Sequence, residues 1–241
     1  VKKLTEPEIM AILRAADELI GEGGRNLLAK ILKGSKEKKL LALHLDKCPV
    51  YGYFHKLSLA EVIEKIDWMI KHDFLEIQYS GRLPMIVFTD RGWELERDQR
   101  ADEILAEWYQ WIEQDDFSHD MTYLKDRNRG MILILLDKIK ETGERRFIPL
   151  LEKWGEIDYK KVRKEIRATI SHIVKNKATE SDENWQIIRA ELLKGRNPRD
   201  VDLKCMKCGN IFPFRTFERY MYFTNQWRYP RLCPECDQEN R

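Results

Sequence analysis

Near its C-terminal end the chain carries two cysteine pairs, Cys205-Met206-Lys207-Cys208 and Cys233-Pro234-Glu235-Cys236, twenty-four residues apart. Four soft thiolate ligands arranged as C-x-x-C twice close a tetrahedron around a metal and leave no position for a reactive water, so the pattern predicts a structural zinc ion held by Cys205, Cys208, Cys233 and Cys236. Such a site couples metal binding to local folding. Between the pairs lie Phe212, Phe214, Phe217, Tyr220, Tyr222, Phe223, Trp227 and Tyr229, interleaved with Arg215, Arg219 and Arg228. A segment this short needs most of those rings for its own core, although aromatics beside arginines can also stack on bases. The fifth cysteine, Cys48, lies four residues after His44 and has no further ligands in its neighbourhood.

Cysteines used in metal-binding pairs, no apolar run of the roughly 18 residues that span a bilayer, and Val1-Lys2-Lys3 leading straight into a charged helix together predict a cytoplasmic chain with no membrane partner. Lys and Arg number 43 against 41 Asp and Glu, a net charge of +2, which excludes a general affinity for polyanions. The distribution is uneven. Residues 98–120 hold eight acidic and one basic side chain, whereas residues 121–178 hold fifteen basic and eight acidic. The second stretch reads either as a basic ridge or as solvated helical faces.

Thr5-Glu6-Pro7-Glu8 has the form of a capping box, and Ile9, Ile12, Leu13, Ala16, Leu19 and Ile20 follow at helical spacing until Gly21 and Gly23-Gly24. Leu27, Leu28, Ile31 and Leu32 mark a short second helix ending at Gly34, and a third is predicted to start with Ser35 at its N-cap. Ser58-Leu59-Ala60-Glu61 opens another, with Leu59, Val62, Ile63, Ile66, Met69 and Ile70 on one face. The alternating runs Leu75, Ile77, Tyr79 and Met85, Val87 across Ser80-Gly81-Arg82 read as a hairpin. Helices followed by such a hairpin make a winged helix. On the helix after Ser58 the outer face carries Glu61, Glu64, Lys65, Trp68, Lys71 and His72, and its carboxylates argue against base reading in a DNA groove. Trp68 on that polar side is expected to be covered by a second domain.

From Thr89 to about Gln114 the pattern Trp93, Ala101, Ile104, Leu105, Trp108, Trp111 and Ile112 predicts one long helix. Met131 to Leu136 is apolar on every side, so that helix must be buried between neighbours supplied by residues 143–154 and 158–175. Phe147-Ile148-Pro149-Leu150-Leu151, then Asp158, Val162, Arg163, Ile166, Ile170 and Ile173, is similar to paired helices of a HEAT-type repeat, and a plain helical bundle describes it equally well. The fold class is therefore mainly α with a small β component: a winged helix over 1–97, an α-helical, HEAT-like or bundled, middle domain over 98–200, and a four-cysteine zinc ribbon over 201–241.

Ile31-Leu32-Lys33-Gly34-Ser35-Lys36, Tyr51-Gly52, Leu57-Ser58, Ile70-Lys71-His72-Asp73-Phe74-Leu75 and Phe88-Thr89-Asp90-Arg91-Gly92 resemble, in order and spacing, the C-terminal (RQC) domain of RecQ helicases. As a whole the chain is similar to the RQC-minor proteins, in which such a domain occurs without a helicase motor, and residues 203–237 resemble treble-clef zinc ribbons. The resemblance implies DNA binding at Lys33, Gly34 and Ser35, where a helix start grips phosphate, and at the wing tip through Tyr79 and Arg82. The residues agree: Lys30, Lys33, Lys36, Lys38 and Lys39, with only Glu37 opposed, surround a hydroxyl at a predicted helix N-terminus.

A motor would require G-x-x-x-x-G-K-[ST], and the sequence contains none. H-E-x-x-H, G-x-S-x-G and the Rossmann glycines are likewise missing, and His44, His55, His72, His119 and His172 share no catalytic spacing. The expectation is a non-catalytic protein that binds DNA ends, forks or junctions, with RNA left open as the ligand and a helicase or other DNA-processing protein as a possible partner. A protein-interaction scaffold built on the middle domain and the ribbon is the alternative.

Overall fold

The computed structural model describes residues 3–20, 23–125, 127–175, 183–195 and 198–238; Val1, Lys2 and Gly21, on which expectations above fall, lie outside them. The chain divides into two compact units, one formed by Val1–Glu96 with Ala190–Pro198 and the other by Arg97–Arg189 with Arg199–Arg241.

In the first unit α1 (Glu6–Asp17) starts at Thr5, whose amide and hydroxyl both donate to the Glu8 carboxylate, so the capping box forms as its spacing requires. Its apolar stripe Ile9, Ile12, Leu13, Ala16 and Leu19 is buried, while Ile20 stays exposed. Helix α2 (Arg25–Lys33) buries Leu28, Ile31 and Leu32 against α4 (Leu59–Lys71), with the short α3 (Lys38–Ala42) between them in sequence. Ser58 and Glu61 close the second capping box. Strands β1 (Leu75–Ser80) and β2 (Leu83–Phe88) form the antiparallel wing, in the register Leu75 with Phe88, Ile77 with Ile86 and Tyr79 with Pro84.

The register corrects one expectation. Ile86 and Phe88, not Met85 and Val87, are the buried residues of the second strand, because a two-residue turn sets odd positions of β1 opposite even positions of β2. Trp68 is only 9% exposed. Its indole stacks on the His72 ring with centroids 3.8 Å apart and lies 6.0 Å from Phe74, both in its own unit.

Helix α5 (Asp90–Glu113) starts in this unit and continues into the second. The Thr89 hydroxyl accepts from the Gly92 amide and donates to the Asp73 carbonyl, tying the helix start to the turn before the wing. Arg91 lies over the Phe74 ring at 3.8 Å and donates to the carbonyls of His72 and Leu192.

In the second unit α6 (Arg129–Thr142) is buried at Met131, Ile132, Leu133, Leu135 and Leu136, as its all-round apolarity demands. It packs with α7 (Ile148–Ile157) and α8 (Lys160–Lys175) around Trp108, Phe147 and Trp154, the two indoles meeting edge to face at 5.9 Å. After α9 (Glu183–Lys194) the hairpin β3 (Val201–Lys204) and β4 (Ile211–Phe214) leads into α10 (Thr216–Thr224) and α11 (Pro234–Gln238). Arg228 donates to Asp137 on α6 and Glu165 on α8, and Arg231 to Glu141, so ion pairs dock this segment on the helices.

Candidate nucleic-acid interface and metal centre

Cys205 and Cys208 flank the turn at the tip of the β3–β4 hairpin. The turn closes through Gly209 N–H to the Cys205 carbonyl at 2.9 Å, with Gly209 in the left-handed conformation at φ +76° that glycine adopts without strain. Cys233 and Cys236 sit at the start of α11. All four sulfurs lie within 4.8 Å of one another, and Cys208 Sγ is 3.8 Å from Cys233 Sγ. Four thiolates at about 2.3 Å from a central ion would have edges of about that length, so the sequence's strongest site is assembled and can hold a metal ion. The Cys208 amide and neighbouring N–H donors lower the Cys205 thiol to about 6, whereas burial and the surrounding thiols push Cys236 up to about 12. Cys48 is buried elsewhere, in the first unit, and is not part of the cluster.

Of the aromatics between the pairs, Phe212 and Phe214 are buried, and Phe214, Tyr222 and Tyr229 contact one another with centroids 5.4–6.3 Å apart. Phe217, Tyr220 and Trp227 are exposed. The rings are therefore divided between the ribbon's own core and its surface.

The predicted phosphate grip is built differently from the expectation. Ser35 is not the N-cap of a helix; Gly34 and Ser35 terminate α2. Gly34, at φ +79°, donates to the Ile31 carbonyl and Ser35 donates to that of Lys30, the double closure of a helix C-terminus with a left-handed residue, and α3 begins only at Lys38. The close approach of Gly52, whose Cα would stand 3.1 Å from a Cβ at Gly34, fixes that turn, and Gly52 and Phe54 donate to the Ile31 and Leu32 carbonyls. The Ser35 carbonyl accepts from the Tyr51 hydroxyl at 3.0 Å. Lys33 reaches back to the His55 carbonyl at 2.5 Å and Lys30 pairs with Glu37 at 2.7 Å. Lys36, Lys38 and Lys39 remain exposed and, among the described residues, make no ion pair.

At the wing, Ile86 N–H donates to the Gly23 carbonyl at 3.0 Å, and a Cβ on Gly24 would stand 2.4 Å from the Pro84 carbonyl oxygen, so the α1–α2 connection braces β2. Exposure rises along one face from buried Leu75 through Ile77 to Tyr79, which is 73% exposed. Gly81 has a positive φ and Arg82 does not, the sign pattern of a II′ turn. Tyr79 and Arg82 thus stand together at the tip, and Leu83, exposed on the opposite face, adds an apolar edge that the alternation of the sequence did not single out. On α4, Lys65 pairs with Glu8 and Asp67 with Arg25, which removes two charges from its outer face and leaves Glu61 and Glu64 exposed.

Among the described residues no helix is long and apolar enough to cross a membrane. The family model of the RQC domain matches residues 5–105. Over 69 residues the chain is 29% identical to the ATP-dependent DNA helicase RecQ of Bacillus subtilis (strain 168). That match takes in 29% of this chain and 12% of the helicase, so the chain spans a small part of the relative's length. No solved structure matches. Residues 5–105 of this chain thus match the family model of the RQC domain, and the four-cysteine cluster at the other end fits a zinc ribbon.

Proposed function

We propose that this chain is a cytoplasmic, non-catalytic nucleic-acid-binding protein that recognises DNA ends, forks or junctions through its RQC domain, with a zinc ion stabilising its C-terminal ribbon. The observation that carries the reading is the braced wing with Tyr79 and Arg82 at its tip. An exposed ring on a fixed hairpin can stack on a terminal base pair while the guanidinium takes the adjoining phosphate. Lys36, Lys38 and Lys39 supply backbone contacts without sequence content, and the acidic outer face of α4 disfavours entry into the major groove. Lys33, Gly34 and Ser35 contribute by holding the turn from which those lysines project, Ser35 also offering its hydroxyl. The name of the relative, a DNA helicase, makes DNA the first ligand to test and a helicase a candidate partner.

A panel of blunt, forked and junction DNA, single strands and RNA, titrated at two salt concentrations, tests this. Lys36→Glu with Lys38→Glu and Lys39→Glu is expected to weaken fork binding at least tenfold and to lower the salt slope by about three. Tyr79→Ala should erase the preference for ends over internal duplex. Unchanged affinity in both variants at low salt would remove the reading.

One observation favours a scaffold instead. Phe217, 71% exposed, with Tyr220 and Met221, lines one face of α10 at spacings of three and four, the pattern by which an aromatic stripe anchors a protein partner. Absence of all nucleic-acid binding, with a protein captured through Phe217, would support that alternative.

A further inference from the structure

Helix α8 in the second unit buries Ile166, Thr169 and Ile173, with Val162 and Ile170 half-buried beside them, and turns a different chemistry outward. Its exposed arc carries Lys160, Lys161, Arg163, Lys164, Arg167 and Lys175, with no carboxylate among them. Among the described residues none of the six is in an ion pair; Glu165, beside the arc, is taken by Arg228.

A face that serves only solubility interleaves opposite charges at spacings of three and four, because such pairs support the helix. Here Lys160 with Lys164 and Arg163 with Arg167 are like-charged pairs at that spacing. The first turn, where the helix macrodipole favours acids, holds no acid and three cations, Lys160, Lys161 and Arg163. Local rules broken in one place without compensation from neighbours mark positions kept for another purpose.

Both ends of the arc extend it. Just before the helix, Tyr159 is 55% exposed. The buried Asp158 carboxylate holds its amide and the Trp154 indole, each at 2.6 Å, and the Lys125 ammonium lies 5.2 Å from the Tyr159 ring centroid. At the other end the Arg145 guanidinium donates to the Val174 carbonyl at 3.0 Å. A cationic stretch of about 10 Å from Lys160 to Arg167, with Lys175 farther along, therefore begins at a positioned aromatic ring, the combination that follows a single-stranded backbone while a base stacks at one end.

We propose that the outer face of α8, with Tyr159 and Lys125 at its start, is a second nucleic-acid contact that binds single strands through phosphate charge and one stacked base. This does not rest on the winged-helix reading, and the test separates the two. Full-length protein carrying Lys160→Glu, Arg163→Glu and Lys164→Glu would be titrated with labelled oligothymidylate and oligouridylate across salt concentrations. The expected result is at least a tenfold loss of affinity and a salt slope lower by about two. Its melting temperature should not fall, since carboxylates at a helix start are favourable. Tyr159→Ala should weaken binding about tenfold and Tyr159→Phe should restore it. The two oligonucleotides distinguish DNA from RNA as the source of the strand. The proposal is overturned if the triple variant binds both strands with the original affinity and slope, if the winged-helix lysine variant alone abolishes single-strand binding, or if only binding to phosphatidylserine vesicles is lost.

Discussion

Gly92 lies in the first turn of α5, where alanine would ordinarily stabilise a helix by up to about 1 kcal/mol. Here the substitution should do the reverse. A Cβ at this position would stand 2.1 Å from the Phe74 carbonyl oxygen and 3.1 Å from its carbon. Relief needs a retreat of roughly 1 Å, and the obstacle is backbone rather than a flexible side chain. That backbone cannot move alone. The Phe74 carbonyl accepts from the Thr89 amide, the Phe74 ring is fully buried, and Arg91 covers it at 3.8 Å. Overpacking of this kind costs about 1–3 kcal/mol, and a rigid obstacle belongs at the upper end, so after the helix-propensity gain Gly92→Ala should lose about 2 kcal/mol. For a unit of about a hundred residues that corresponds to roughly 10 °C in Tm. Gly155→Ala in α7 is the matched control: its Cβ would meet only Ile166 Cγ2 at an ordinary 3.6 Å, and it should gain about 0.5–1 kcal/mol. Urea and thermal melts followed by circular dichroism measure both, and a Gly92→Ala protein as stable as the original would refute the steric argument.

Two further outcomes are expected. Elemental analysis of protein purified under reducing conditions should find one zinc per chain, and chelation or Cys205→Ser should remove hydrogen-exchange protection from residues 201–238 while sparing α1 to α4; a stoichiometry near zero would refute the site. Although partial burial works against it, the Lys65 pair and the Thr5 hydrogen bonds hold the Glu8 carboxyl below the ordinary glutamate range. The stability this adds is fully present above that ordinary range and lost as the pH falls through the lowered value. Wild type should therefore exceed Lys65→Met by about 1 kcal/mol or less at pH 7, and the two should converge in acid. A difference that stays constant to pH 2 would assign the effect to packing.

The features legible in the sequence were those written in one local vocabulary. Both capping boxes, the long α5, the all-apolar α6 and the four cysteines appear where spacing put them. Gly34-Ser35 was misread because stop and start signals overlap there: glycine ends helices, serine opens them, and only the distant Gly52 packed on Gly34 decides for the stop. The phase of β2 turned on the exact length of a two-residue turn, which alternation alone does not count. Trp68 fell on the polar arc of an isolated wheel, yet His72 and Phe74 fold back over it once the chain leaves the helix. The engagement of Lys33 by the His55 carbonyl is likewise a contact across 22 residues that no local pattern carries.

The discontinuous first unit has a consequence during synthesis. Residues up to Glu96 share their unit with Ala190–Pro198, and Arg91 donates to the carbonyl of Leu192. On a ribosome adding about 5–20 residues per second, roughly 5–20 s separate the appearance of these two segments. Throughout that interval the winged helix is a nascent chain lacking its last piece, and Arg91 Nε has yet to meet the Leu192 carbonyl. The N-terminal unit, although begun first, cannot finish until the helical segment inserted within it has been made, and its window for capture by chaperones or proteases is set by the length of that segment.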